Sequence, residues 1–311
     1  MGVPNRAVEN DAPRASLARA SHCRRWTALL SDIIAYSWER ETDLKSLRPE
    51  FDAFLTNLLE EVESIEGYLS ANEIRFLALL AACPTAKGEL LEIGSFKGKS
   101  MVVLAKAAAF SGNPKVVAVD PMTAPSVTDP DLKNAASSLN DLQINIRRHN
   151  IGQQVEFHCA FSSELAKTWS RPIRLLWIDG DHTYEGTKQD FDLFAPHLAD
   201  GAIIAMHDVL HEFEGGVRVF MEDVLLSPHF GSVGFCGSIG WAQFHADTAI
   251  GWKYRDRKLR LYQRLNHLIP YVVFRTELKG WEKKIYKLHR ARVPHGAVNP
   301  IKWLQEVSFK I

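Results

Sequence analysis

The sequence predicts an α/β protein: a doubly wound parallel sheet with an antiparallel edge hairpin, N-terminal helices and a basic C-terminal extension. Three observations predict this. Short apolar runs alternate with helical segments from residue 88 to 209. The runs end, one after another, on polar side chains: Glu92, Asp120, Asp179 and the pair His207–Asp208. A further pair of apolar runs, joined by Gly237 and Ser238, follows without a helix between them.

Residues 1–24 are poor in large apolar side chains and read as a disordered tail. From Trp26 to about Leu69 the apolar positions are spaced helically, as at Phe51, Phe54, Leu58, Val62 and Ile65. Ser70 with Glu73 three residues later forms a capping-box pattern before FLALLAAC, which completes a helical region over 25–85. The α/β domain occupies 86–246. Its strands are GELLEIG (88–94), KVVAVD (115–120), VEFHCA (155–160), IRLLWID (173–179) and AIIAMHDV (202–209), the last entered through Asp200-Gly201. Helices are expected over 99–110, 131–150, 162–169, from Tyr184 to Leu198, and over GGVRVFMEDVLL. VGFCGSIGWAQFHA (233–246) is the edge hairpin, and 247–311 forms a partly helical extension.

The neutral total of 37 basic and 37 acidic residues conceals an asymmetry. Residues 251–311 hold 15 Lys+Arg against 4 Asp+Glu, so the rest of the chain is acidic by the same margin. Zero net charge gives no sign of a nucleic-acid partner. The basic tail, mixed with Trp, Tyr and Leu, suits peripheral contact with anionic lipid, a polyanionic glycan, a homo-oligomer contact, or packing on the acidic body. The four cysteines are scattered without a C-x-x-C pair, which fits a reduced, cytoplasmic setting. The N-terminus carries no apolar signal region, and no run of about 18 apolar residues occurs.

ELLEIGSFKGKS (89–100) ends like a phosphate-binding loop, but Gly94 and Gly98 stand one residue too close for one. Glu92 beside the glycines would repel phosphate and suit a cationic ligand. Asp120 closes the second strand, where an acid can bond ribose hydroxyls. An adenosine with a cationic, phosphate-free tail meets both demands, as in S-adenosylmethionine (SAM). Lys99 reads as a solvated residue of the first helical turn, and His211 and Glu212 as loop surface. The G-x-G-x-x-G fingerprint of an NAD-dependent oxidoreductase is absent. That reading remains an alternative, as does a non-catalytic membrane- or glycan-associated protein.

The set E-I-G-S-F-x-G-K-S, V-D-P, I-D-G-D-H-T-Y-E-G, the H-D-V strand end and G-S-I-G-W resembles a class I SAM-dependent methyltransferase. It is most similar to the metal-dependent branch that methylates macrolide sugars and includes the cephalosporin-cluster enzymes, over roughly residues 70–246. The resemblance implies a Rossmann-like sheet and O-methylation of a sugar or glycosylated small molecule. It assigns the methionine part of SAM to Gly94, Ser95 and Gly98 with Glu92 turned toward the loop. It gives the ribose to Asp120, and the adenine to Phe161 and Ser162. It implies a divalent metal, Mg²⁺ first, on Asp179 and Asp208. His207 departs from an all-oxygen set and would favour Mn²⁺, Fe²⁺ or Zn²⁺, or not ligate. His182 would be the general base, with Asp179 beside it, or a structural group. Asp181 and Thr183 are either site residues or helix caps.

Overall fold

The computed structural model describes residues 50–123, 137–274 and 278–308. The expected tail, most of the first helical stretch, the loop over 124–130 and the start of the helix expected at 131 lie outside them. The chain divides into two compact units, 1–54 and 55–311. Of the first, residues 50–54 are described and are helical.

In the second unit, seven strands form one sheet in the order β3-β2-β1-β4-β5-β7-β6. They are β1 (Glu89–Ile93), β2 (Val116–Val119), β3 (Val155–His158), β4 (Ile173–Ile178), β5 (Leu198–Met206), β6 (Phe230–Cys236) and β7 (Ile239–Phe244). The first five are parallel, and β7 pairs antiparallel to β5 and to β6. The doubly wound sheet and its antiparallel edge are thus as the alternation predicts. Strands β1, β2 and β4 are almost wholly buried because helices cover both faces. The chain order reverses between β1 and β4, and a doubly wound sheet opens a crevice at that point.

The helices are α1 (55–63), α2 (Ala71–Ala82), α3 (Lys99–Ala108), α4 (Leu139–Arg148), α5 (Ser162–Ala166), α6 (Tyr184–Phe194) and α7 (Glu214–Val219). After α7, the helix expected as one piece widens into a π-helical stretch, Phe220–Leu225. Strand β5 begins at Leu198, earlier than expected. Asp200-Gly201 is therefore not an entry turn but an irregularity inside the strand, with Gly201 at φ 87° and the pairing register to β4 shifted.

The capping box at α2 forms as predicted: Ser70 Oγ accepts from Glu73 N, and Glu73 Oε2 accepts from Ser70 N at 2.8 Å. The other oxygen of Glu73 reaches a distant element. Oε1 accepts from Ser238 N at 2.6 Å and Ser238 Oγ at 2.8 Å, in the turn between β6 and β7. One buried carboxylate thus fixes a helix start to the hairpin turn.

Helices α8 (Thr248–Lys253), α9 (Arg255–Asn266), α10 (Ile269–Val272), α11 (Gly280–Arg290) and α12 (Pro300–Ser308) make up the C-terminal extension. It is packed onto the edge hairpin. Trp303 meets Trp241 and Phe76, and Gln243 Nε2 donates to Val307 O at 2.9 Å. No helix among the described residues is long and apolar enough to cross a membrane.

Removing the Glu73 side chain strands the buried Ser238 donors and opens the cap of α2 at Ser70. Glu73→Ala is expected to cost about 2–4 kcal/mol in urea unfolding with an unchanged m value. A loss below about 0.5 kcal/mol would remove Glu73 from this role.

Candidate active site

The main cavity, of about 500 Å³, opens at the switch point. Its first wall is the turn after β1. Gly94 adopts φ 85°, and a Cβ there would lie 2.1 Å from the carbonyl oxygen of Asp179. Only glycine allows β1 and β4 to approach this closely at their ends. Ser95 and Phe96 follow, the latter also left-handed at φ 46°. Their backbone N–H groups both donate to Asp120 Oδ2, at 2.7 and 2.9 Å. Asp120 Oδ1 accepts from Met122 N at 2.7 Å, and Met122 is left-handed too. Asp120 lines the cavity while bracing both turns. Gly98, the left-handed N-cap of α3, packs against Leu142 and does not line the cavity.

Glu92 requires a correction. It is fully buried beneath the turn and is not on the cavity wall. Its Oε2 accepts from Ser95 Oγ at 3.0 Å. Burial raises its pKa to about 8, with Asp179 and Asp120 adding to the rise and hydrogen bonds from Ser100 and Ser95 opposing it. At neutral pH the group is mostly uncharged, so it neither repels phosphate nor attracts a cation. It props the turn from below.

Phe161 and Ser162 line the cavity beyond β3. Beside them stands Asp190 of α6, a residue the sequence reading passed over. It is buried, hydrogen-bonded with Ser162, and its pKa is raised to about 7 by burial, with a contribution from Asp181. Lys99 is another correction: it is half-buried on the cavity wall, its ammonium 3.4 Å from Gly67 O, and burial lowers its pKa. Tyr68, stacked on Phe96 at 6.3 Å between centroids, forms an exposed lip.

At the other side, the ends of β4 and β5 bring Asp179, His182, His207 and Asp208 together. His207 Nδ1 lies 3.0 Å from Asp179 Oδ1 and 3.4 Å from Asp208 Oδ1. His182 Nε2 lies 3.4 Å from Asp208 Oδ2 and 3.8 Å from Asp179 Oδ1. Burial alone would lower the His207 pKa, but Asp179, Asp208 and Glu73 outweigh it and hold it at about 9. For Asp179, burial is likewise outweighed, by His207 and His182, and the carboxyl is held at about 2. Asp208 sits at φ 52°, a strained position for a residue with a Cβ.

His182 is oriented by an aromatic partner. Its ring stacks on Phe213 at 4.7 Å and 10°, and Phe213 stacks in turn on His211. Gly215 N donates to His182 O, and a Cβ on Gly215 would lie 2.3 Å from Thr187 Oγ1, so glycine lets α7 close onto α6 here. Glu212, read as plain loop surface, pairs with Lys283 of α11 at 2.8 Å, and His211 O accepts from Tyr286 Oη. Thr183 is the N-cap of α6, while Asp181 accepts from Thr183 N and also lines the cavity.

This cluster does not fit the expected metal centre on Asp179, Asp208 and His207. Among the described residues no group of three or more His, Cys, Asp or Glu side chains is disposed to hold an ion. His207 turns Nδ1 to the two carboxylates as a hydrogen-bond donor, and a protonated nitrogen has no lone pair to give a metal. Asp179 meets both imidazoles through Oδ1, and Asp208 meets one with each oxygen.

Residues 91–209 match the family model described as a methyltransferase domain, and this part of the chain is such a domain. The expected resemblance to class I methyltransferases holds for it. Among solved structures the chain is similar to a putative O-methyltransferase from Klebsiella pneumoniae, at 18% identity and TM-score 0.47, covering 62% of this chain and 90% of that one. It is also similar to an O-methyltransferase from Bacillus cereus in complex with SAH, at 20% identity and TM-score 0.45, covering 61% and 90%. A third is the O-methyltransferase TomG from Streptomyces achromogenes in complex with SAM, at 18% identity and TM-score 0.46, covering 63% and 90%.

The buried Glu92 generates a pH prediction. The folded chain keeps its proton up to about pH 8, whereas the unfolded chain releases it near 4.5. Its contribution to stability is therefore full below the lower value and declines as pH rises to the upper one, by roughly 1 kcal/mol per pH unit. Glu92→Gln should flatten that decline when urea midpoints are compared across the window. An unchanged slope would mean that Glu92 is already ionised in the folded protein.

Proposed function

We propose that the methyltransferase domain of residues 91–209 binds SAM in the main cavity and transfers its methyl group to a hydroxyl oxygen, on a sugar or glycosylated small molecule. The observation that carries this reading is the pairing of two features in one cavity. A turn braced by Asp120 forms one end, and the Asp179–His182–His207–Asp208 cluster forms the other. SAM supplies an electrophilic methyl on a sulfonium, which departs as a neutral thioether.

Ser95 and the Gly94 turn would hold the methionine part, Asp120 the ribose hydroxyls, and Ser162 with Asp190 the purine. Asp120 Oδ2 accepts two backbone N–H groups, whereas Oδ1 accepts one and keeps lone-pair capacity for a ribose hydroxyl. Displacement at carbon is in-line, so positioning of the acceptor oxygen against the methyl carbon does most of the work. As the new O–C bond forms and the S–C bond breaks, the hydroxyl proton passes to His182. The neighbouring carboxylates stabilise the imidazolium that results. His207, protonated between them, offsets part of their charge and keeps Asp179 and Asp208 from repelling each other. Phe213 fixes the plane of the His182 ring.

His182→Ala is expected to lower kcat about 10²- to 10³-fold while the SAM dissociation constant stays within a few-fold. Asp120→Ala should weaken SAM at least tenfold in calorimetry, because both turns lose their brace. Turnover against a panel of glycosylated acceptors should survive EDTA. Activity lost in EDTA and restored by one divalent ion would reinstate a metal centre, and absence of SAM binding would sink the reading altogether.

A further inference from the structure

A second cavity, of about 460 Å³, lies between the edge hairpin and the C-terminal helices, and it shares no lining residue with the first. Its floor is aromatic. Trp241 of β7 and Trp303 of α12 meet edge to face at 5.9 Å between centroids, and they are 3% and 2% exposed. The indole Nε1 of each is buried without a hydrogen-bond partner among the described residues. Trp241 Nε1 stands over Gly234, another wall residue, where a Cβ would come within 3.0 Å of it. Both nitrogens are covered by protein, so the two rings enclose the cavity and leave its polar groups to the rim.

The rim is cationic. Arg257, Arg260 and Arg264 follow one face of α9, and α12 adds Lys302. Glu306 pairs with Arg257. No carboxylate among the described residues forms an ion pair with Arg260, Arg264 or Lys302, and all three side chains are exposed at the mouth. An adjoining shallow pocket shares Arg260 and Arg264 and adds His267 and Arg292, so the positive field continues past the opening.

We propose that this cavity binds a phosphate-bearing ligand. Arg260, Arg264 and Lys302 would take the phosphate oxygens, with the Trp241 and Trp303 rings enclosing the space beneath them. Two guanidinium forks beside an ammonium suit a tetrahedral oxyanion with many acceptor sites better than a single carboxylate. The volume suits a small phosphate ester or one headgroup, not a polymer. A soluble ester and a phospholipid headgroup present the same chemistry, and the experiment separates them. The proposal is independent of the methyl-transfer reading.

The test titrates the full chain with inorganic pyrophosphate, followed by calorimetry and tryptophan fluorescence. A parallel flotation assay uses phosphatidylcholine vesicles with and without phosphatidic acid. Saturable binding should weaken at least tenfold in Arg260→Gln/Arg264→Gln, several-fold in Lys302→Gln, and steeply with added salt. SAH affinity should stay unchanged in the same variants. Capture of pyrophosphate alone assigns a soluble ester, and capture of phosphatidic acid vesicles alone assigns a headgroup. Either outcome supports the site provided the arginine variant loses it. Binding of neither probe, or binding that the exposed arginine pair does not affect, overturns the proposal.

Discussion

The geometry of the main cavity depends on one carboxylate. Asp120 accepts three backbone N–H groups, from Ser95, Phe96 and Met122. Two of those residues, Phe96 and Met122, hold left-handed backbone conformations that a side-chain-bearing residue avoids. Each such position costs on the order of 1 kcal/mol. Hydrogen bonds to a carboxylate are the stronger kind, and here they are spent on the two strained positions. The turn after β1 and the turn after β2 therefore share one brace. Without it the relaxed alternatives for both turns would differ, and the wall between them would not be a single surface.

The brace also sets the opposite wall. Gly94 comes so close to the Asp179 carbonyl that a methyl group would overlap it, so the ends of β1 and β4 move as one. Asp179 is thereby held where His207 and His182 can reach it. His207 in turn lies 4.0 Å from Glu73, which ties the start of α2 to the hairpin turn. A chain of carboxylate contacts thus runs from the glycine turn to the sheet edge. Each carboxylate in it is matched to a donor that a different segment supplies, which explains why acidic residues can gather at adjacent strand ends without splaying them apart.

The sequence made the strand ends legible because the continuous apolar runs stop there, and a polar residue at such a stop stands out. Asp120, Asp179, His207 and Asp208 were found in this way, and the Ser70–Glu73 box by its local spacing. What the sequence concealed was set by distance or by burial. The bond from Glu73 to Ser238 spans 165 residues, and nothing near either one announces it. Asp190 looks like one polar position among several on α6 until its burial beside Ser162 is known. Phe213 reads as loop, and only the fold lays it over His182. Glu92 was assigned a charge because its residue type has one. Full burial removes that charge, and with it the electrostatic argument against phosphate; the spacing of Gly94 and Gly98 still stands against a phosphate loop.

The basic extension shows the same difference between counting charges and placing them. An excess of cations at one end and acids elsewhere suggests attraction between the two. The Lys283–Glu212 pair is such a contact, but α9 and α12 attach in another way. Lys258, the most buried cation of α9, donates to the carbonyls of Ser227 and Phe230 and meets no acid among the described residues, and burial lowers its pKa to about 8. Trp303 and Gln243 complete the contact through rings and an amide. Since ring packing and hydrogen bonds to neutral acceptors hold α9 and α12 in place, Arg260 and Arg264 on the outer face of α9 are not consumed in anchoring them. With Lys302 they gather at the mouth of one cavity without an acid partner among the described residues, and an anionic ligand is the chemistry that satisfies them together.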